Sequence, residues 1–452
     1  MDTNINKINL LVKTIYGFFP QFGQWFKNIK DPRMVNKNTY HLSLMIWIGI
    51  TMFILKLKSS RNINFRLKKN FILNFKNIFP ILGIIQNPDE IDRIPDYGTI
   101  IDLLVKLDEK KMEKTPRKML RKLIKSRVLE KYRLFGKFYL IAIDGTRFLK
   151  FEERHCEHCL RREIKKDKNG NPVYEYYHYV LSAKLITDSG LALTIMTEFV
   201  ENESMDVEKQ DCELKAYYRL AKKLKAEFKK LNICLLLDSL YPNQNVFNIC
   251  KENRWQYLIY FKEGAIPTAY QEYLEEKQQN PKNHLTDKVN KWITREYYWV
   301  NDIEWENFKL NVLYCKEDNI RKKKKKPHPF VWISSFPINK NKCHSLANQG
   351  GRLRSKIENQ GFNSQKNEGY NLEHAYSKNY NAIKCFYHLM QIAHIINQLM
   401  QHGAEVKQII KESGSLENFY LELWEDFRNQ DVDKNFIHHI MHNCFQIRLD
   451  SS

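Results

Sequence analysis

The chain has no hydrophobic run long enough to cross a membrane. Its most apolar window, residues 42–55, is interrupted by Ser43, Gly49 and Thr51. That window is shorter than the roughly 20 apolar residues that a membrane-spanning helix needs. The first residues also lack the basic, apolar and small-residue pattern of an export signal. We therefore expect a buried helix at 40–55 and no association with a membrane.

Cysteine is scarce, and its number is odd. Of nine cysteines in 452 residues, only Cys156 and Cys159 are closely spaced. This pattern is typical of reduced thiols in the cytoplasm and argues against a secreted disulfide framework. The chain also has no P-loop, no dinucleotide-binding fingerprint and no motif of a nucleophilic serine or cysteine. We expect a cytoplasmic protein whose chemistry needs no covalent protein intermediate.

Acidic residues are outnumbered, 52 against 73 lysines and arginines, which gives a formal net charge of +21. So basic a protein favours a polyanionic partner, of which nucleic acid is the commonest and an acidic membrane the next. Contacts from lysine and arginine to phosphates would make binding strongly salt-dependent and largely independent of sequence.

Three carboxylates are placed where they could meet. Asp144 ends the predicted strand 138–144, Asp238 ends the predicted strand 233–238, and Glu358 lies in the helical stretch 352–358. A continuous apolar run that ends in Asp delivers a carboxylate to the rim of a sheet. Two such strands and a glutamate can hold a pair of hard divalent cations, the arrangement that cuts and joins phosphodiesters. The alternative is that each Asp is a turn residue.

The motifs around these residues carry a family resemblance. Residues 350–374 resemble the region around the catalytic glutamate of DDE-type insertion-sequence transposases. The motifs Ile143-Asp-Gly-Thr146 and Leu237-Asp-Ser-Leu-Tyr-Pro-Asn243 are similar to the family's first and second Asp motifs. The nearest branch is that of the family-four insertion sequences, and the resemblance runs from about Tyr40 to about Leu399.

The resemblance implies a fold and an activity. The fold is α+β, with an RNase H-like mixed sheet flanked by helices. Asp144, Asp238 and Glu358 are implied as the catalytic residues and as the ligands of two Mg²⁺ ions, for which Mn²⁺ can substitute. The implied partner is double-stranded DNA, both transposon ends and target, bound by a homodimer at the bacterial nucleoid.

The signature around the glutamate departs from the family at two positions. The branch shows Tyr-x2-Arg-x3-Glu-x6-Lys, and Arg354 and Glu358 keep this spacing. Gly351 stands at the Tyr position, and Gln365 at the Lys position, with Lys366 one residue later. In a continuous α-helix that shift rotates the lysine by about 100°, whereas a kink could still bring it to the site. Candidate DNA contacts are Arg352, Arg354 and Lys366.

The predicted elements divide the chain into four parts. These are a helical N-terminal DNA-binding domain at 1–135, the first part of the core at 136–264, a β-rich insertion at 265–340, and the second part of the core at 341–452. Helices are predicted at 99–131 with a basic face, at 210–231 and at 372–408, and insertion strands at 292–300, 308–314 and 330–336. The basic run 321–326 predicts a solvated loop. Asp211 and Glu213 complement the start of helix 210–231. The family carries a similar Lys-x-Asp-x-Glu motif here, so a supporting role beside the metal ligands stays open.

A second cluster could bind zinc. Cys156 and Cys159 have Cys-x2-Cys spacing, His158 or His155 could add a third ligand, and His178 could return on the next strand. A zinc site usually shows two ligand pairs, and no second pair lies close in sequence. Reduced thiols and solvated histidines on a loop are the alternative.

Two other functions stay open beside a transposase. One is a nuclease of the same fold that cuts DNA without strand transfer. The other is a domesticated, inactive DNA-binding descendant, for which the altered positions Gly351 and Gln365 leave room.

Overall fold

The computed structural model describes residues 6–34, 39–66, 69–85, 87, 91–321, 328–443 and 445–450. The helices are α1 (Lys7–Phe18), α2 (Gln24–Lys27), α3 (Leu42–Ile54), α4 (Asn62–Arg66), α5 (Lys69–Ile81), α6 (Tyr97–Lys106), α7 (Glu109–Lys125), α8 (Glu213–Glu227), α9 (Gln244–Asn253), α10 (Pro267–Gln279), α11 (Cys343–Asn348), α12 (Ser364–Asn367), α13 (Tyr380–Gln401), α14 (Ala404–Glu412), α15 (Leu416–Asn429) and α16 (Lys434–His442). The strands are β1 (Tyr139–Phe151), β2 (Leu160–Lys166), β3 (Pro172–Ile186), β4 (Ala192–Val200), β5 (Ile233–Leu237), β6 (Gln256–Tyr260), β7 (His284–Asn290), β8 (Ile293–Trp305), β9 (Phe308–Asn319) and β10 (Phe330–Ser334).

In the part of the chain that the structure describes, ten strands form one mixed sheet flanked by helices, so the predicted α+β class is confirmed. Strand β1 pairs antiparallel with β3, and β3 pairs antiparallel with β4. On its other side β1 pairs parallel with β5, which pairs parallel with β6. The order β4-β3-β1-β5-β6 is the one expected of an RNase H-like sheet. It makes β1 and β5, the strands of the two aspartates, direct neighbours.

The β-rich insertion extends this same sheet. Strand β10 pairs antiparallel with β6, and β9, β8 and β7 follow in turn as a meander. The strands predicted at 292–300, 308–314 and 330–336 correspond to β8, β9 and β10. Strands β2 and β7 were not predicted because both are exposed edge strands whose sequences are mostly polar. Of the basic run 321–326, residues 322–326 lie outside the described part of the chain.

The N-terminal helices pack on the C-terminal ones. Helix α3 is buried along most of its length, as predicted, and packs against the long helix α13. Helices α6 and α7 also pack against α13, and α5 packs against α15. Among the residues that the structure describes, no helix combines the length and the hydrophobicity needed to span a bilayer. Apolar burial therefore joins the two ends of the chain in one core.

Two predicted helices are broken. The helical spacing at 99–131 forms α6 and α7, separated at Leu107, because Asp108 caps α7 by accepting a bond from Lys110 N at 3.1 Å. The helix predicted at 372–408 forms α13 and α14 only from Tyr380 onward, because Asn379 caps α13. Residues 372–379 form turns and bends in which Leu372 and Tyr376 are buried. The apolar spacing that predicted a helix there therefore reflects burial in a non-helical segment.

Candidate functional site

The register of two parallel strands sets Asp144 and Asp238 level with each other. Ala142 of β1 is the partner of Leu236 of β5. This offset, 236 − 142 = 94, equals 238 − 144 = 94, so the same register, continued by two residues past the last paired residues, sets the two aspartates level. Neighbouring strands lie about 4.8 Å apart. Asp238 directly follows β5, as predicted, whereas the prediction that Asp144 ends its strand is wrong, because β1 continues beside β3 to Phe151.

Each aspartate is oriented by the backbone that follows it. Asp144 Oδ1 accepts a hydrogen bond from Gly145 N at 3.0 Å, and Asp238 Oδ1 accepts one from Leu240 N at 2.8 Å. Asp144 Oδ2 also accepts from Arg354 Nη1 at 3.3 Å. Asp238 therefore acts as a turn residue, which was the alternative to a metal ligand, and it also lies beside Asp144.

Glu358 lies in a π-helix, not in the α-helix that the sequence predicts. A 3₁₀-helix, Gly351–Ser355, leads into the π-helix Ile357–Asn363, which α12 then continues. A π turn joins residues i and i+5, so it holds about one residue more than an α turn. The π-helix contains Glu358 and precedes Lys366, so the angle between these two side chains differs from that in a continuous α-helix. Such single π turns are frequent at functional sites.

A fourth carboxylate, Glu213, joins the group. It stands in the first turn of α8, where both Tyr179 and Tyr241 donate their hydroxyls to it, Tyr241 at 2.7 Å from Oε1. Its charge acts on Asp144. The sequence placed Glu213 at a helix start, and the similar Lys-x-Asp-x-Glu motif of the family kept a supporting role beside the metal ligands open. Asp211, predicted with it, bonds instead to Arg219, at 2.6 Å.

The site carries more negative than positive charge. Burial raises the pKa of Asp144 to about 7; the Arg354 guanidinium opposes this shift, while the charges of Glu213, Glu358 and Asp238 add to it. Among the described residues, the largest charges acting on Asp144 are those of three carboxylates and one guanidinium, a negative excess that a cation would relieve. Hard carboxylate oxygens are the ligands that Mg²⁺ and Mn²⁺ prefer. The donor set therefore fits the implied metal ions.

The candidate carboxylates do not form one compact ligand group in the described part of the chain. Within the described ranges, the one group whose potential ligand atoms all lie within 4.8 Å of one another is a different, cysteine- and histidine-containing group. Two ions in a paired site stand about 3.5–4 Å apart, so their ligands need not share one compact shell.

The three cations predicted to contact DNA each pair with a carboxylate. Arg354 bonds to Asp144, and Lys366 Nζ lies 3.0 Å from Glu373. Arg352 Nη1 lies 2.6 Å from an oxygen of Glu317, on β9. Arg352 thus ties the 3₁₀-helix to the insertion. Contact of these three residues with DNA stays a prediction.

Packing explains both departures from the family signature. A Cβ at Gly351 would lie 2.4 Å from the ring of Trp332, which is buried on β10. The indole thus occupies the space into which a side chain at 351 would extend. Gln365 is buried and donates from Nε2 to Gln391 Oε1 at 2.8 Å, so it belongs to the core.

Replacing Gly351 by Ala should therefore destabilise the protein by about 1–3 kcal/mol, the usual effect of overpacking. Urea unfolding followed by circular dichroism measures this change. Gly98→Ala is the matched control, because no atom lies within 4 Å of a Cβ at position 98, in α6. Equal stability of Gly351→Ala and the natural chain would show that Trp332 does not fill this space.

The second cluster brings together His155, Cys156, Cys159 and His178. Of the two histidines considered as the third ligand, His155 lies with the sulfurs, whereas His158 does not, because its Nδ1 lies 2.9 Å from the carbonyl oxygen of Asn202. Sequence spacing could not separate two histidines three residues apart, because the turn between them decides which one faces the sulfurs.

The three motifs that carry the family resemblance thus meet beside β1 and β5, and the charges of Asp238 and Glu358 both act on Asp144. This arrangement is observed in the structure of this chain and is not transferred from a related protein. Comparison of the chain with models of known protein families and with curated proteins found no match.

Proposed function

We propose that the chain is a DNA transposase of the DDE type, which binds the ends of its element, cleaves them and joins them to target DNA. One observation carries the proposal: β1 and β5 present Asp144 and Asp238 at the same level of adjacent parallel strands, within electrostatic reach of Glu358. The family resemblance of the three motifs points to the same residues.

The chain's residues divide the work of the proposed reaction. Asp144, Asp238 and Glu358 would hold two Mg²⁺ or Mn²⁺ ions, which supply charge neutralisation at the phosphate and a more acidic water nucleophile. Arg354, beside Asp144, places a planar guanidinium where a phosphate oxygen could accept from it. Glu213, held by Tyr179 and a second tyrosine, fixes the start of α8 against the two aspartates.

The charge of the molecule supports DNA as the substrate. The net charge of +21 suits a polyanion. The outer side of α7 carries exposed cations, among them Lys122 and Lys125, while its inner side buries Met119 and Leu123. This confirms the amphipathic pattern predicted there, and contact with DNA is part of the proposal. A homodimer on DNA, which concerted cutting of two ends requires, rests on the resemblance.

The test is an end-cleavage and joining assay. The purified chain is incubated with Mg²⁺, a linear DNA carrying the sequence that flanks its coding region, and a supercoiled target plasmid. We expect cuts at the ends of the element and joined products. Absence of any Mg²⁺-dependent cutting would overturn the proposal, and hydrolysis without joining would favour the nuclease.

Removing the metal should separate binding from chemistry. In EDTA, cleavage should fall to background, because the carboxylates alone cannot neutralise the charge of the reacting phosphate. Binding of end DNA, measured by fluorescence anisotropy in the same buffer, should persist and weaken steeply with salt. Binding without cleavage even in Mg²⁺ would instead identify an inactive DNA-binding descendant. Cleavage that survives EDTA would contradict a metal-dependent site.

A further inference from the structure

The cysteine–histidine cluster lies at the far end of the strand that carries Asp144. Three of its residues, His155, Cys156 and Cys159, belong to the connection between β1 and β2. The fourth, His178, is buried on β3, to which both of those strands pair. The cluster therefore joins a connecting loop to the strand beside it, and it shares no residue with the carboxylate site.

Four of the six distances between ligand atoms in the cluster are close to the edges of a tetrahedron, and all six are within 4.8 Å. The two sulfurs are 3.4 Å apart, and Cys156 Sγ lies 3.5 Å from His178 Nε2. Cys159 Sγ lies 3.2 Å from His155 Nδ1 and 3.8 Å from His178 Nε2. Bond lengths of about 2.3 Å to sulfur and 2.0–2.1 Å to nitrogen give tetrahedral edges of about 3.3–3.8 Å.

The donor chemistry selects the ion. Two thiolates and two imidazoles are soft and borderline ligands, which favour zinc over Mg²⁺ or Ca²⁺. A disulfide needs its sulfurs at about 2.05 Å, far less than the 3.4 Å between Cys156 and Cys159. With four protein ligands the shell of the ion is complete, which is typical of structural rather than catalytic zinc.

The surroundings hold the cluster in place. Asn202 Nδ2 donates to the carbonyl oxygen of Cys159 at 2.9 Å and so fixes the end of the loop. The ring of His178 stacks on Tyr380, the first residue of α13, with centroids 4.6 Å apart. An ion here would therefore link the β1–β2 connection, β3 and the start of α13.

We propose that His155, Cys156, Cys159 and His178 bind one structural Zn²⁺ ion. The ion anchors the base of the hairpin formed by β2 and β3, whose outer strand is exposed and basic. Its binding does not depend on the proposed transposase activity, and its test uses no DNA.

The test is the metal content of the full chain, purified without a histidine tag and without chelators and measured by mass spectrometry. We expect about one zinc ion per chain. Cys159→Ser and His155→Ala should each lower the zinc content at least about tenfold after dialysis. Cys212→Ser, at an exposed cysteine outside the cluster, and His158→Ala should both keep the ion.

Replacement of the metal by Co²⁺ in the natural chain gives a second test that needs no variant. We expect the visible bands of tetrahedral cobalt together with thiolate charge transfer. A natural chain without zinc, an octahedral cobalt spectrum, or a Cys156–Cys159 disulfide in protein from reducing cells would overturn the proposal. Zinc that persists in Cys159→Ser, or that is lost in His158→Ala and kept in His155→Ala, would overturn the ligand set.

Discussion

Replacing Asp238 by Asn should lower Mg²⁺-dependent cleavage of end DNA by about 10³-fold, because several kcal/mol of charge stabilisation depends on bound metal. Asn keeps the size of the side chain and its carbonyl oxygen, so the bond from Leu240 N to Oδ1 can survive. What is lost is the negative charge beside Asp144. The rate is measured on labelled end DNA under single-turnover conditions.

The control for Asp238→Asn is Asp206→Asn. Asp206 is exposed in the connection between β4 and α8, so its replacement removes the same charge away from the candidate site. We expect Asp206→Asn to cleave at the natural rate and both variants to bind end DNA within about twofold of the natural chain. Unchanged cleavage by Asp238→Asn would refute its assignment as a metal ligand, and loss of DNA binding would point to misfolding.

The central sheet could be predicted because its signal is local. The runs before Asp144 and Asp238 are apolar throughout, which is typical of buried parallel strands, and β1 and β5 form there. The strand order then followed from the family resemblance. The level placement of the two aspartates needed the register, which a single sequence does not contain.

The parts that could not be predicted depend on distant residues. Gly351 has no room for a side chain because the ring of Trp332, on strand β10, fills the space beside it. The residue types around Glu358 are typical of an α-helix, so the sequence does not indicate that this segment forms a π-helix. The approach of Glu213 depends on Tyr179, on β3, and on a tyrosine after β5. Each of these is a long-range packing outcome rather than a local preference.

Lys184 is a buried amine whose position links the core to the Glu358 segment. It lies on β3 with no exposed surface, and Nζ donates to Thr194 Oγ1 at 2.6 Å and to Gln391 Oε1 at 3.2 Å. Its aliphatic carbons would lie 3.0 Å from a Cβ at Gly361, in the π-helix. Burial lowers the pKa of Lys184 to about 7. The amine is therefore a source of instability beneath the segment that presents Glu358.

Lys184→Met should stabilise the protein by about 1–3 kcal/mol at pH 6, because the folded state no longer buries a charge. This net gain already allows for the two hydrogen bonds that the substitution removes. Between pH 7 and 10.5 the natural folded chain sheds the proton that the unfolded chain keeps. Its stability therefore rises through this window by up to about 1.4 kcal/mol per pH unit relative to the variant. The advantage of Lys184→Met should accordingly shrink between pH 7 and 9.

Urea unfolding at pH 6, 7, 8 and 9 measures this dependence, with Lys150→Met as the control. Lys150 is an exposed lysine on the neighbouring strand β1, so its replacement should change stability by less than about 0.5 kcal/mol at every pH. A variant at position 184 that is less stable at pH 6, or whose advantage does not change with pH, would show that the amine is not buried as a charge.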